Sequence, residues 1–80
     1  MYHHQMINRQ QIRAARGLLE WNQGDVAEAS GISLNAFNAI ERGASTPRAR
    51  NLTAIQEALE KAGVDFISEN GGGPGVRLRK

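Results

Sequence analysis

Apolar residues recur along the first sixty positions at the three-and-four spacing of helices that bury one face. Ile12, Ala15 and Leu19 form the first such stripe. Asn8, a preferred N-cap, precedes it, and Gln11 stands three residues on to complete a capping box. Ile7 and Ile12 flank that cap at the spacing of a hydrophobic staple. The arrangement returns twice. Asn22 with Asp25, inside the pair Trp21/Val26, predicts a second helix start, and Ser33 inside Ile32/Phe37 predicts a third. Each cap stabilises by roughly 1 kcal/mol, a real share of the stability of so short a chain. Gly31 and Gly43 fall where the second and third helices must stop, at positions that favour a positive φ. A fourth helix is predicted to start between Thr46-Pro47 and Asn51, with Pro47 in its first turn. Its stripe is Leu52, Ile55, Ala58, Leu59 and Ala62, and Gly63 ends it.

Beyond Gly63 the period shortens to two. Val64-Asp65-Phe66 and Val76-Arg77-Leu78-Arg79 alternate as half-buried strands do, with the turn chemistry of "SENGGGPG" between them. A terminal hairpin is expected, with Val64, Phe66, Val76 and Leu78 facing the protein. The glycine run is not a phosphate loop, since no Gly-Lys-Ser/Thr ending and no helix follow it. The chain therefore divides into a flexible N-terminus (1–7), a helical domain (8–63) and a strand or hairpin (64–80) that is a candidate dimerisation element. The fold class is mainly α: about four helices with a C-terminal β-hairpin or strand.

Composition narrows the function. With 80 residues and four aromatics the core is thin, and a domain this small often leans on a metal, disulfides or a second chain. The absence of cysteine excludes disulfides and thiolate metal sites, which leaves oligomerisation and points to a reducing, cytoplasmic setting. No apolar run is long enough for a membrane span, and the N-terminus lacks a signal-peptide core. His3-His4 lacks a third ligand nearby and is assigned to the terminus, so no metal or cofactor is expected. With no other histidine and no carboxylate pair in a catalytic context, an enzyme is not expected either. Eight of the ten basic residues are arginine, and the window from Arg42 to Gln56 holds Arg42, Arg48 and Arg50 without an acid. Arg77, Arg79 and Lys80 form a second basic group. Charge alone leaves solvated surface and an anion-binding face equally open.

The order of helices supplies the discrimination. From Gln23 to Gly43 the chain reads helix, sharp turn, helix, with Val26 and Ala27 beneath the first helix, Gly31-Ile32 at the turn, and Phe37 and Ile40 anchoring the second. In the residues "NQGDVAEASGIS", in "AIERG" and in Pro47, the chain resembles the XRE/Cro-type helix-turn-helix regulators, which have the lambda-repressor-like DNA-binding fold. The resemblance runs from about Asn8 to Gly63. The ending "ENGGGPGVRLRK" is similar to the tail of short, single-domain members, where it replaces the fifth helix of the phage proteins. The resemblance implies a bacterial or phage-like transcription regulator, a repressor that binds double-stranded DNA as a homodimer. Asn22, Gln23 and Ser33 would then meet phosphate at helix starts, and Arg42, Arg48 and Arg50 would hold phosphates beside the third helix. Arg16 and Glu41 would form a structural ion pair. The residues support that pair independently, since Arg16 falls on the buried stripe of the first helix and needs a partner there.

The third helix departs from the family. Members often carry Arg, Lys or Gln at the places of Leu34 and Ala39, and here no residue from Ser33 to Ile40 is charged. Leu34, Asn35, Asn38 and Ala39 lie away from Phe37 and Ile40 and are the candidate base-reading set. Asparagine pairs bidentately with adenine, and Leu or Ala can touch thymine methyls, so an A·T-leaning half-site is expected. Each bidentate pair discriminates by only about 1–3 kcal/mol, so a palindrome read by a dimer is required for selectivity. The hairpin edge and the end of the fourth helix are the candidate dimer surfaces, the C-terminal strand being favoured. The alternative is a protein-interaction module of the same fold, an antitoxin or anti-activator using the fourth helix and hairpin to sequester a toxin or activator. No ligand-binding domain follows, so no small-molecule ligand is expected.

Overall fold

The computed structural model describes residues 7–44, 46–68 and 72–79. Residues 1–6, with His3-His4 and all of the expected flexible terminus except Ile7, lie outside the described residues, as does Lys80; Ile7 itself is buried in the core. Four helices are followed by two strands: α1 (Arg9–Leu19), α2 (Gln23–Ser30), α3 (Leu34–Glu41), α4 (Ala49–Lys61), β1 (Val64–Ile67) and β2 (Gly75–Leu78).

The helix starts follow from their caps. Asn8 Oδ1 accepts from the Gln11 amide at 2.8 Å while Gln11 Oε1 accepts from the Asn8 amide at 2.9 Å. Asn22 and Asp25 repeat the exchange at 2.8 and 2.9 Å. Ser33 Oγ accepts from the Ala36 amide at 3.0 Å, and alanine at that position returns nothing. Pro47 stands one residue ahead of the α4 cap, Arg48, rather than in the first turn. Arg48 is still extended (φ −75°, ψ 148°), so helical geometry begins only at Ala49.

At the C-termini, Gly31 (φ 76°) and Gly43 (φ 75°) take the left-handed conformation. After α3 the Ala44 amide reaches Ala39 O at 2.9 Å and the Gly43 amide reaches Ile40 O at 3.1 Å, closing the last carbonyls. α1 ends the same way without a glycine. Glu20 is left-handed at φ 59°, and the Trp21 amide bonds Arg16 O at 2.9 Å. A side chain in that region costs roughly 1–2 kcal/mol, offset here by the carbonyls it satisfies.

The core is centred on Phe37, fully buried with Ile12, Val26, Ile55, Leu59 and Val64. Each such side chain contributes about 1.5–3 kcal/mol by leaving water. Ile7, buried as a staple requires, closes the core at the start of α1, and Leu19, Trp21, Ile32 and Leu52 pack around its rim. Ala58 and Ala62 of the expected α4 stripe lie at its partly exposed margins.

The strands pair antiparallel in the register Val64↔Leu78, Asp65↔Arg77, Phe66↔Val76, Ile67↔Gly75. Val64, Phe66 and Val76 pack on the core as expected, but Leu78 does not: it is 40% exposed. A two-stranded ribbon has no third strand to cover its last pair, and of that pair only Val64 enters the core. Two side chains pin the ribbon. At one end Gln11 Nε2 donates to Gly75 O at 3.0 Å and to Ile67 O at 3.4 Å, so the residue that boxes the start of α1 also holds the hairpin. At the other end the Arg79 guanidinium donates to Asp65 Oδ1 at 2.9 Å and to Glu60 O at 2.9 Å, and the Arg79 amide donates to Gly63 O at 2.6 Å.

Gln11→Ala removes a cap partner and orphans two strand carbonyls together. The expected loss is about 1–3 kcal/mol, a fall in Tm on the order of 4–8 °C per kcal/mol for a domain of this size. Thermal unfolding measures the loss, and hydrogen exchange of the β1 and β2 amides should accelerate more than that of α4. An unchanged Tm would refute the clamp.

Candidate nucleic-acid interface

α2 and α3 meet across Gly31-Ile32-Ser33. The left-handed Gly31 lets the chain reverse while the Ile32 amide bonds Ala27 O at 3.1 Å. Ala27 is buried, and Phe37 and Ile40 hold the inner face of α3 against the core. The opposite side of α3 consequently faces solvent.

On that side the four expected base-reading residues form two rows at four-residue spacing, Leu34 with Asn38 and Asn35 with Ala39. Leu34 is 47% exposed and Asn35 is exposed, whereas Ala39 and Asn38 are half-buried. The two asparagines are not equivalent. Asn38 Oδ1 is shielded from solvent and has no hydrogen-bond partner. A bidentate grip on adenine needs the amide oxygen and nitrogen both at the surface. Asn35 meets that condition as it stands, and Asn38 requires a side-chain rotation to do so.

The expected phosphate ligands lie at the start of α2, at the cap of α3, directly after α3 and at the start of α4. Asn22 commits its Oδ1 to the α2 cap, which leaves Nδ2 for an outside acceptor. Gln23 and Gly24 follow in the first turn, where backbone N–H groups have no intrahelical acceptor. Ser33 accepts with its oxygen, so its hydroxyl proton remains available. Arg42, Arg48 and Arg50 are exposed, and none of them joins an ion pair among the described residues. Arg77 and Arg79 differ: they lie 3.7 and 2.9 Å from Asp65, whose single charge offsets part of theirs.

Behind the face lies the ion pair. Arg16 Nε donates to Glu41 Oε2 at 2.7 Å and Nη2 to Oε1 at 3.0 Å, a two-pronged contact to a carboxylate that is 2% exposed. Gln23 Nε2 also donates to Glu41 Oε1, at 2.5 Å. Arg16 Nη1 reaches Trp21 O at 3.2 Å, and Arg13 Nη2 reaches Glu41 O at 3.4 Å. Burial acting alone raises the pKa of Glu41. The hydrogen bonds from Arg16 and Gln23 and the charges of Arg16 and Arg13 outweigh it, holding the carboxyl below its ordinary value of 4.5. The Gln23 bond, between residues 18 apart, had no signal in local spacing. It follows only once α2 and α3 are known to bracket Arg16.

Among the described residues no cluster of three or more His, Cys, Asp or Glu side chains is placed to hold a metal ion, and no helix is long and apolar enough to cross a membrane. A family model described as "Helix-turn-helix" matches residues 12–66, from the middle of α1 through most of β1. A search of curated proteins found no match.

Because the folded-state pKa of Glu41 lies below its unfolded value, its ionisation stabilises the fold fully above pH 4.5 and progressively less as pH falls through the depressed value. Urea unfolding from pH 7 down to pH 3 should show wild-type stability falling on the acid side. Glu41→Gln should be less stable at pH 7 and lose less over the same range. Parallel acid limbs in the two proteins would contradict the assignment.

Proposed function

The chain belongs to the XRE-type helix-turn-helix family of DNA-binding transcription regulators, and we propose that it is a repressor binding a palindromic operator as a homodimer, with α3 in the major groove. The observation that carries this reading is the exposed Leu34/Asn35 edge of α3, uncharged from Leu34 to Ile40, followed in the chain by three exposed arginines that have no acidic partner among the described residues.

In this reading the two tasks of a DNA-binding surface are separated. Asn22, Gln23, Ser33, Arg42, Arg48 and Arg50 hold backbone phosphates and set the depth and register of α3. Asn35 pairs with adenine, Leu34 and Ala39 lie against thymine methyls, and Asn38 joins the readout after rotating its amide outward. The half-site is accordingly rich in A·T pairs. One such helix discriminates too weakly to find a single site, and a dimer doubles the readout. The hairpin is the favoured dimer surface: its open strand edges can accept a second chain, and the 40%-exposed Leu78 offers apolar area there. A cytoplasmic location follows from the DNA target.

The exposed Leu34 also supports a second reading, in which α3 or the hairpin meets a protein partner such as a toxin or activator. An antitoxin that represses its own operon unites both.

Binding to duplex DNA across a salt series separates the readings. Specific binding that weakens steeply with salt is expected for the regulator, and no binding to any duplex at low salt leaves only the protein partner. Arg48→Ala should weaken all duplexes by a similar factor. Asn35→Ala should instead reduce the preference for the A·T-containing site by about 1–3 kcal/mol. Equal weakening of all sequences by Asn35→Ala would remove it from the base-reading set.

A further inference from the structure

Two guanidinium groups from α1 converge on the carboxyl end of α3. Arg9 and Arg13 are one helical turn apart and exposed. Arg13 Nη2 reaches the main-chain oxygen of Glu41, the last residue of α3, at 3.4 Å. Arg9 lies along Gly43: a Cβ placed on that glycine would stand 3.0 Å from Arg9 Nε and 3.2 Å from Cζ. Glycine here both turns the chain and leaves room for a guanidinium. Arg42, exposed, sits between Glu41 and Gly43 in the chain.

Three positive groups thus border one helix end. Glu41, the carboxylate of this neighbourhood, is buried and already engaged by Arg16 and Gln23. Among the described residues, none of Arg9, Arg13 and Arg42 belongs to an ion pair. Attraction to the carbonyl end of α3 accounts for part of this, as cations are favoured there by about 0.3–1 kcal/mol. It accounts for Arg13, which touches a carbonyl. Among the described residues Arg9 makes no such contact, yet its guanidinium lies against Gly43, the residue after Arg42.

We infer that Arg9 and Arg13 are DNA-backbone ligands, which together with Arg42 form a clamp for phosphodiester oxygens at the carboxyl end of the recognition helix. The inference rests on the DNA-binding reading of α3 and extends its contact surface to α1. Guanidinium forks match phosphate oxygens, and a phosphodiester brought among these groups meets unpaired donors. The clamp carries no sequence information. It supplies affinity that the uncharged outer face of α3 lacks.

The test is the binding of duplex DNA by the full chain across a salt series, for wild type, Arg9→Gln, Arg13→Gln and the double variant. Lys61→Gln, exposed at the end of α4, serves as the charge control. Each α1 substitution should lower the slope of log K against log salt by about 0.9 per bound protomer, so about 1.8 for the dimer, and weaken A·T-rich and G·C-rich duplexes by the same factor. Lys61→Gln should leave the slope unchanged. Arg13→Lys, which keeps the charge, should retain most of the slope, so a loss confined to Arg13→Gln is not a folding defect. Arg9→Gln removes no described hydrogen bond and is checked by its unchanged Tm. A wild type with a steep slope and a double variant with the same slope overturn the clamp alone. A wild type that binds no duplex at low salt overturns the DNA-binding reading and the clamp with it.

Discussion

A carboxylate placed at the meeting point of three helices must find partners or cost the fold several kcal/mol. Glu41, 2% exposed at the last position of α3, is that group. Arg16 reaches it from α1 with two hydrogen bonds and Gln23 reaches it from the first turn of α2 with a third. Buried ion pairs add little net stability compared with apolar packing, and Phe37 with its aliphatic neighbours supplies most of the driving force. The carboxylate contributes direction. Oil-like contacts tolerate rotation of α3 about its axis, whereas three directed hydrogen bonds do not, and the rotation of α3 decides which side chains reach solvent.

That constraint links folding to function. With Glu41, Phe37 and Ile40 turned inward, Leu34 and Asn35 are turned outward. Because Gln23 bonds the same carboxylate, the N-terminus of α2 is held in register with the α3 face. The family is a DNA-binding one, and the proposal that this surface meets the DNA, with its division of labour, follows from where charge lies. Arg42 directly follows α3 and Arg48 and Arg50 open α4, while the outward residues Leu34 and Asn35 of α3 are uncharged. In that proposal long-range attraction comes from the arginines, and discrimination falls to groups that act only at contact distance.

What was legible in the sequence was local. The boxes Asn8/Gln11 and Asn22/Asp25, the cap Ser33 and the left-handed Gly31 and Gly43 each depend on residues within three or four positions, and each stands where spacing placed it. The Arg16–Glu41 pair spans 25 residues but was still legible, since a cation on an apolar stripe demands an anion and the family resemblance indicated which. The rest required the packed structure. Gln11 clasps strand carbonyls more than fifty residues away, and Arg9 fits a space left by Gly43. The left-handed Glu20 carries no residue-type signal. Helical spacing grouped Asn38 with Asn35, but its flank position shields Oδ1, and alternation placed Leu78 inward where no third strand covers it. In each case the deciding neighbour belongs to another element.

The most direct test of this division of labour is selection of bound duplexes from a random pool, followed by footprinting on the enriched sequence. The result predicted is an inverted repeat with A·T pairs under each α3 and half-site centres about 34 Å apart, one helical turn. Enrichment of G·C pairs at those positions, of a single asymmetric site, or of no sequence at all would contradict it.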